Sequence, residues 1–485
     1  MYIGIDLGTS AIKLVLVDIQ NHQLVTIKEV ERKQPILNPK ENWSEQDPNL
    51  WFDIMIDGLQ ELTKNHHEIS GISFSGQMHG LVLLDKNDHI LRPAILWNDQ
   101  RTEGQVIKLN QDLTKDFIYK ETNNMVLTGF TAPKILWVKE NEPEIFKQID
   151  KIMLPKDYLV YRLTQKHVTD ITDISGSLFY NVKENKYSEA IIKYLNIHLN
   201  QLPKVLQSTD PVGKMLDQFV DLLNLSSNPT IFPGGGDQAV GACLTSTFNE
   251  GDASISIGTS GVVFTPISNI DAMKENVLHC FRHVNNHFFL MGVTLSAAAS
   301  IQWFKEKIMV NTSYEDLYAS IESTDKNNLL FLPYLNGERT PINNPNAKGV
   351  IMNITSQTGQ KDMFKSVLEG VAFSLRAVLD EMHQYGIELK TAAIIGGGTR
   401  NYKFTQILAD VLQINLYTVK QNMGTALGAA MIAMVGNQAF KDFESIINKK
   451  ELINHMIHPN QSMKIYYDNK YKDYHKLYHK LSEFF

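Results

Sequence analysis

The hydrophobic pattern at the start of the chain predicts a β-hairpin. Residues 2–6 and residues 11–18 are rich in small and β-branched side chains without a helical period, so each segment predicts a buried strand. Between them, the Gly8-Thr9-Ser10 tip permits a tight turn and presents hydroxyl and backbone N–H groups. Such a tip suits an anion such as phosphate, and the Asp6 carboxylate lies beside it. Taken alone, the pattern is also typical of an ordinary edge hairpin.

The same pattern returns near the middle of the chain. Residues 254–264 again give a strand, a Gly258-Thr259-Ser260 tip and a second strand. One repeat at about half the length of the chain indicates two similar domains, each opening with a phosphate-binding hairpin.

Helical periods alternate with further buried strands. Asp47 is expected to cap a helix that starts at Pro48, and residues 360–385 predict a long helix with one buried face. The segment from Tyr466 predicts a last amphipathic helix. Buried strands are predicted at residues 69–74, 230–232 and 391–395. The alternation indicates an α/β protein.

Composition is that of an ordinary globular protein, with 43% hydrophobic and 20% charged residues. The 485 residues exceed what one core usually holds, so two domains are expected. The net charge of −7 gives no reason to expect nucleic acid or an anionic membrane as a partner. Cys243 and Cys280 are too few for a disulfide framework or a zinc cluster. No apolar run reaches membrane-spanning length and no signal peptide precedes the first strand, so a cytoplasmic protein is expected.

Two polar clusters follow predicted strands. The first contains Gln77, Met78 and His79, and the second contains Trp97 and Asp99. Ligands of α/β sheets gather at such strand ends. The imidazole and the carboxylate can bond sugar hydroxyls, and the indole offers an apolar wall to the C–H face of a sugar. The alternative is a core histidine with satisfied hydrogen bonds and a tryptophan that only packs.

Three glycines, residues 234–236, stand directly before Asp237 and a helix of small residues. They let the backbone approach a ligand closely, and a carboxylate there can take the proton of an attacking hydroxyl. A lone aspartate at this position is otherwise usually a helix cap.

A second glycine run follows the strand predicted at 391–395. Gly397, Gly398 and Asn401 lie in this loop, and a helix comes next. Strand, glycine loop and helix form a shape that binds nucleotides, although the run matches neither a Walker A motif nor a spaced Rossmann fingerprint.

The paired Gly-Thr-Ser hairpins resemble those of the actin-like (ribonuclease-H-like) ATPase superfamily. Further segments resemble motifs of the FGGY carbohydrate kinases over essentially the whole chain: residues 75–80, 97–101, 129–137 and 235–239. The resemblance implies two actin-like α/β domains, residues 1–245 and 246–485, with ATP and sugar bound in the cleft between them. It also implies a last helix that packs back on the first domain.

The resemblance further implies ATP-dependent phosphorylation of a sugar, with Mg²⁺ held by Asp6 and a proton accepted by Asp237. Sugar contacts are expected from Gln77, Met78, His79, Trp97, Asp99 and Gln238, where Gln238 replaces the asparagine usual in similar members of the family. Phosphate and nucleotide contacts are expected from Gly8, Thr9, Ser10, Lys13, Gly258, Thr259, Ser260, Gly397, Gly398 and Asn401.

Other functions stay open as alternatives. An actin-like ATPase without sugar kinase activity would leave the Met78 and Trp97 clusters without a purpose, and a sugar-sensing repressor would need a DNA-binding module. Within the family, the ketopentose D-xylulose is the expected acceptor, and gluconate, ribulose, fuculose and glycerol are the alternatives. The expected partners are the sugar and ATP, without nucleic acid or membrane, and the resemblance implies a homodimer.

Overall fold

The computed structural model describes residues 1–21, 23–271, 273–274, 277–420 and 424–485. The chain divides into two compact units. Unit 1 consists of Met1–Phe248, Cys280–Phe288 and Met423–Lys449, and unit 2 consists of Asn249–His279, Phe289–Asn422 and Lys450–Phe485. The boundary predicted between residues 245 and 246 lies near the first crossing from unit 1 to unit 2. The later segments that belong to unit 1 have no counterpart in that prediction.

The strands are named in chain order. They are β1 (Tyr2–Leu7), β2 (Ala11–Gln20), β3 (Gln23–Lys33), β4 (Glu45–Gln46), β5 (Gly71–Gly76), β6 (Val82–Leu84), β7 (Ala94–Ile95), β8 (Lys151–Met153), β9 (Val168–Asp170), β10 (Tyr180–Asn181), β11 (Lys186–Tyr187), β12 (Lys204–Leu206), β13 (Gly213–Lys214), β14 (Thr230–Ile231), β15 (Gly235–Gly236), β16 (Ser254–Ile257), β17 (Gly261–Ile267), β18 (His279–Arg282), β19 (Phe288–Thr294), β20 (Leu330–Leu332), β21 (Val350–Met352), β22 (Thr391–Ile395), β23 (Asn415–Val419) and β24 (Ile453–Ile457).

The helices are named in the same way. They are α1 (Pro48–Thr63), α2 (Glu103–Leu113), α3 (Lys115–Thr122), α4 (Thr131–Asn141), α5 (Pro143–Phe146), α6 (Pro155–Thr164), α7 (Ile171–Ile174), α8 (Glu189–Leu195), α9 (Asp217–Leu222), α10 (Asp237–Leu244), α11 (Ala298–Trp303), α12 (Tyr314–Ala319), α13 (Gln360–His383), α14 (Tyr402–Leu412), α15 (Thr425–Gly436), α16 (Lys449–Leu452) and α17 (Lys464–Leu481). A π-helical turn (Phe304–Ile308) extends α11, and 3-10 turns lie at Leu199–Gln201, Gly397–Arg400, Gln461–Met463 and Ser482–Phe484.

The main sheet of unit 1 runs in the order β13-β14-β5-β1-β2-β3, and β15 also pairs with β5. β1 is antiparallel to β2 and parallel to β5, so the first predicted hairpin is confirmed. The N-terminal side of α1 also follows its sequence, because the Asp47 side chain accepts a hydrogen bond from Asn49 N and Pro48 opens the helix. Helix α1 buries Trp51 and Met55 in the core beside β1 and β5.

Helix α15 packs on this sheet, and its small residues explain why it can. A Cβ placed on Gly4 of β1 would lie 1.8 Å from the carbonyl oxygen of Ala426. Likewise, a Cβ on Gly428 of α15 would lie 2.4 Å from the carbonyl oxygen of Val240 in α10. The backbones of β1, α15 and α10 therefore approach each other at distances that only glycine allows.

The sheet of unit 2 contains the order β19-β17-β16-β22-β23-β24. β16 and β17 form the second predicted hairpin, with Ile257 opposite Gly261, and β16 runs parallel to β22. Helix α13 confirms the long helix predicted over 360–385. The last helix, α17, buries Tyr467, Tyr471 and Tyr474 within unit 2, and Tyr474 Oη lies 3.0 Å from Tyr334 Oη. By this division α15 belongs to unit 1 and α17 to unit 2, and the packing of the last helix on the first domain stays a prediction.

The helices of the described part of the chain lack the combination of length and apolar character needed to cross a membrane.

Candidate active site

Asp6 lies near the end of β1, just before the first tip. The pairing of β1 places Lys13 and Ser75 opposite Asp6 on the two neighbouring strands. Burial raises the pKa of Asp6, while hydrogen bonds to Thr425 and Ser75 and the positive charge of Lys13 oppose that rise. Asp6 is therefore a carboxylate held chiefly by hydroxyl groups, and a cation brought to it would favour its charged form.

Asp237 is the first residue of α10, and Gly236 precedes it as the N-cap residue. Burial, followed by the negative charge of Asp6, raises the pKa of Asp237 to about 7 against hydrogen bonds with Gln238. Burial and a like charge both disfavour the ionised form of a carboxyl group, so the two causes act in the same direction. A carboxyl group with a pKa near 7 accepts a proton at neutral pH, as a general base must.

A chain of buried polar groups stabilises the turn before Asp237. The N–H group of Gly236 donates to Thr172 Oγ1 at 2.9 Å, and Thr172 Oγ1 donates to Asp170 Oδ2 at 2.6 Å. Lys156 in turn places its Nζ 2.8 Å from Asp170 Oδ1. This fully buried support fixes the direction in which the Asp237 carboxylate leaves the backbone.

The hydroxyl group of Thr9, in the first tip, is already used by the protein. Thr9 Oγ1 donates to Gln77 Oε1 at 3.1 Å and accepts from Trp97 Nε1 at 2.9 Å. Ser10, by contrast, is exposed. In the described residues, no protein acceptor contacts the N–H groups of Thr9 and Ser10. The tip therefore offers backbone N–H groups to an anion, whereas Lys13 pairs with Glu31 at 3.6 Å.

Met78 and His79 form a loop against the Asp237 turn. A Cβ on Gly236 would lie 2.8 Å from Met78 Sδ, so the methionine packs directly on the backbone before Asp237. His79 has a φ of 66°, in the left-handed region, and its Nδ1 lies 2.8 Å from the carbonyl oxygen of Gly176. Because a carbonyl only accepts, Nδ1 carries the hydrogen of this bond.

Lys134 holds the His79 loop from inside the protein. Its Nζ donates to the carbonyl oxygen of His79 at 2.7 Å and to that of Gly129 at 2.6 Å. Burial lowers the pKa of Lys134 to about 7, although the charge of Asp99 opposes this. The amine thus stabilises a backbone conformation that a non-glycine residue rarely adopts.

The second polar cluster divides into a structural half and an exposed half. The fully buried Asp99 carboxylate accepts from Arg101 Nε at 2.9 Å and from Ser44 N at 2.6 Å. These bonds give Asp99 a structural role and do not support the expected sugar contact. Trp97 is 41% exposed and remains available to a ligand.

The second tip is held by the backbone of unit 2. The N–H groups of Ala297 and Ala298 each donate at 2.9 Å, to the carbonyl oxygens of Thr259 and Gly258 respectively. Within the described part of the chain, the N–H groups of Thr259 and Ser260 contact no protein acceptor. The second tip therefore presents the same free backbone donors as the first.

The glycine loop after β22 lies beside this second tip. Gly396 has a φ of 97°, and a Cβ on Gly398 would lie 2.5 Å from Ile257 Cγ2, next to the tip. Gly397 faces open space. The side chain of Asn401 accepts a hydrogen bond from Lys403 N at 2.9 Å and so caps α14. The nucleotide contacts expected of Gly397, Gly398 and Asn401 stay predictions.

Glu338 is a buried carboxyl group that supports the second tip. Its Oε1 accepts from the N–H groups of Leu295 and Arg339, both at 2.8 Å. Burial raises the pKa of Glu338 to about 8, so the group is largely protonated at neutral pH. Glu338 thereby anchors the chain just before the residues that hold the second tip.

Family models account for most of the chain. The N-terminal domain model of the FGGY family of carbohydrate kinases matches residues 1–243, and the C-terminal domain model matches residues 253–436. The chain belongs to this family. Its two Gly-Thr-Ser hairpins, Asp6 and the Asp237 turn are therefore parts of an FGGY carbohydrate kinase, and kinases of this family use ATP as cosubstrate.

Individual FGGY proteins agree with this assignment. The chain is 34% identical to the xylulose kinase of Staphylococcus xylosus over 98% of its own length and 99% of the relative's. A solved structure described as a xyloylose kinase from Brucella ovis is 32% identical, with a TM-score of 0.94 and complete coverage of both chains. A gluconate kinase structure from Lactobacillus acidophilus is 26% identical, with a TM-score of 0.93, and covers 99% of this chain and 98% of its own.

Sequence reasoning missed some residues that position this FGGY site. Gln34 and Gln46 donate hydrogen bonds to the backbone of the first tip, but isolated glutamines carry no pattern that marks them. The role of Asp99 did have a signal, because Arg101 follows it at a spacing that allows a bidentate pair.

Proposed function

We propose that this FGGY kinase transfers the terminal phosphoryl group of ATP to D-xylulose, giving D-xylulose 5-phosphate and ADP. The environment of Asp237 carries the proposal. Its pKa of about 7 lets it take the proton of a primary sugar hydroxyl as the oxygen attacks phosphorus. Phosphoryl transfer otherwise needs positioning and charge stabilisation, and the free N–H groups of each Gly-Thr-Ser tip, taken by itself, suit a phosphate.

The choice of xylulose rests on the loop that packs against Asp237. Met78 and His79 bring an apolar side chain and a polar ring together in one short segment, and a ketose has both a C–H surface and several hydroxyl groups. The S. xylosus relative is a xylulose kinase and supports this choice, whereas the gluconate kinase from L. acidophilus keeps gluconate as the second candidate. In this proposal Trp97 and Gln238 complete the sugar site.

Mg²⁺ is proposed to enter with ATP and to be held by Asp6. In the residues that the structure describes, no group of three or more His, Cys, Asp or Glu side chains forms a metal site. One carboxylate flanked by Thr425 and Ser75 nevertheless fits Mg²⁺, which keeps most of its water and takes few protein ligands. When bound, Mg²⁺ would neutralise negative charge on the phosphates.

A panel of D-xylulose, gluconate, ribulose, fuculose and glycerol, assayed with ATP by coupled detection of ADP, tests the substrate. We expect robust turnover with D-xylulose, and preference for another acceptor would contradict the proposal. ADP release that does not depend on a sugar would indicate an actin-like ATPase instead.

Replacing the base tests the mechanism. We expect Asp237→Asn to lower kcat by about 10²- to 10⁴-fold, since general base catalysis contributes that much, with sugar affinity measured by calorimetry nearly unchanged. Asp217→Asn is the matched control, because Asp217 also opens a helix of unit 1 but lies on α9. Near-normal turnover of Asp237→Asn would rule out this role. A homodimer and a cytoplasmic location stay predictions, and size-exclusion chromatography with light scattering tests the first.

A further inference from the structure

A closed ring of hydrogen bonds joins the first phosphate tip to the sugar loop. Thr9 Oγ1 donates to Gln77 Oε1 at 3.1 Å, and Gln77 Nε2 donates to Gln46 Oε1 at 3.0 Å. Gln46 Nε2 then donates to the carbonyl oxygen of Thr9 at 2.7 Å. The ring begins and ends at Thr9, and its two glutamines are buried, with Gln46 1% and Gln77 3% exposed.

A hydrogen bond from the buried Trp51 determines the direction of the hydrogen bonds in the ring. Trp51 Nε1 donates to Gln46 at 3.2 Å, and because indole is only a donor, that atom must be the amide oxygen. The amide nitrogen of Gln46 therefore faces the Thr9 carbonyl. Because Gln46 Oε1 accepts from Gln77, the atom of Gln77 that faces Gln46 is its amide nitrogen, and the amide oxygen of Gln77 accepts the hydroxyl hydrogen of Thr9. Trp97 Nε1 donates to the same hydroxyl oxygen.

The ring therefore connects two segments that the reaction must bring into register. Gln77 directly precedes Met78, so a displacement of the sugar loop moves the Gln77 amide. Thr9 also carries one of the free N–H groups of the tip, so a change in the hydrogen bonds of its hydroxyl moves a backbone N–H group that is proposed to donate to phosphate. Trp97 attaches to the same hydroxyl and has the exposed surface that a sugar can cover.

We propose that Thr9, Gln46 and Gln77 are positioning residues that couple sugar binding to the geometry of the first phosphate tip. In this role Gln77 contacts Thr9 and Gln46 rather than the sugar, and the Thr9 hydroxyl does not bind phosphate. The coupling rests on the proposed sugar kinase activity. Through this coupling, the first tip would take the geometry that binds the ATP phosphates only when sugar occupies the sugar loop. Transfer of the phosphoryl group to water would then be disfavoured.

The test measures how far D-xylulose tightens binding of Mg²⁺ with AMP-PNP, a nucleotide analogue that is not hydrolysed. For the unchanged protein we expect a ratio of dissociation constants, without and with saturating sugar, of about fivefold or more. Thr9→Val keeps the shape of the side chain but removes the ring hydroxyl, so the ratio should fall to about one. Thr9→Ser keeps the hydroxyl and should restore the ratio.

Gln34→Met is the matched control. Gln34 also donates to the tip backbone, to the carbonyl oxygens of Gly8 and Thr9, but it is not a member of the ring. We expect this variant to weaken nucleotide binding while the sugar-dependent ratio stays as in the unchanged protein. Circular dichroism establishes that each variant folds.

Three results would overturn the coupling: a ratio of one in the unchanged protein, an unchanged ratio in Thr9→Val, or loss of the ratio in Gln34→Met as well. Failure of the proposed function is read separately, as absence of sugar-dependent ADP formation. Tryptophan emission tests the ring even then, because adding Mg²⁺ with AMP-PNP should change the emission of the unchanged protein but not that of Trp97→Phe.

Discussion

The two Gly-Thr-Ser tips present the same free backbone donors but are held in different ways. The carbonyl groups of the first tip accept hydrogen bonds from the side chains of Gln34 and Gln46. The carbonyl groups of the second tip accept from backbone N–H groups of residues 297–299. One tip therefore depends on side chains and the other on the path of the main chain.

This difference indicates which tip can respond to a ligand. The backbone of the second tip is set by the fold of unit 2, so single side-chain changes have little access to it. The first tip is set by amides that also contact the sugar loop, so a change there can reach it. The strands differ as well, because Asp6 stands two residues before Gly8 whereas Ser256 stands two residues before Gly258.

Among the effects that compare the two hairpins, the largest is expected between these two strand positions. We expect Asp6→Asn to lower Mg²⁺-dependent kcat/KM by about 10²- to 10³-fold, because it removes the charge that holds the cation. The matched change Ser256→Ala should lower it less than about threefold. Steady-state kinetics over a range of Mg²⁺ concentrations measures kcat/KM of both variants. Equal losses would mean that Asp6 contributes no more to catalysis than Ser256 does.

A second prediction concerns packing, which also differs between the hairpins. Gly4 of the first hairpin touches the backbone of α15, whereas the corresponding residue of the second hairpin is Ser254. We expect Gly4→Ala to lower the free energy of unfolding by about 2–3 kcal/mol, since a Cβ would meet the carbonyl oxygen of Ala426 at 1.8 Å. Urea unfolding followed by tryptophan emission suits this test, because four of the five tryptophans lie in unit 1.

The control for that change is Gly104→Ala on α2, where an added Cβ would have no heavy atom within 4 Å. It should leave unit 1 as stable or raise its stability by up to about 1 kcal/mol. Comparable losses in the two variants would mean that general helix effects, and not the close approach of α15, explain the result.

Much of the fold could be predicted because its signals are local. Gly8 and Gly258 interrupt β-branched runs, and Asp47 before Pro48 marks a helix start, so both hairpins and α1 follow from neighbouring residues. The position of α15 could not be predicted in this way. Its small residues allow close packing, but nothing in them specifies which sheet provides the partner.

The candidate site shows the same difference between local signals, which the sequence contains, and long-range contacts, which it does not reveal. Asp6 and Asp237 stand beside glycine motifs and could be named from the sequence, whereas the raised pKa of Asp237 comes first from its burial and then from the charge of Asp6, both set by the fold. The phosphate contact expected of Thr9 stays a prediction, while the partners of its hydroxyl, Gln77 and Trp97, lie 68 and 88 residues away along the chain. Hydrogen bonds over such separations have no signature in a single sequence.

The smallest expected effect is the influence of pH on the stability of unit 1 through Asp237. Its pKa is raised from 3.8 to about 7, so the folded protein binds a proton that the unfolded chain has released between these values. The free energy of unfolding contributed by this group therefore falls as pH rises from about 4 to 7 and is constant above. Asp237→Asn removes the cost of burying the charge. At pH 8 the variant should be more stable than the unchanged protein by about 1–2 kcal/mol, after allowance for partial exposure, and the difference should vanish near pH 4. Urea unfolding at both pH values measures it. A variant that is less stable at pH 8 would contradict a pKa of Asp237 raised by burial and by the charge of Asp6.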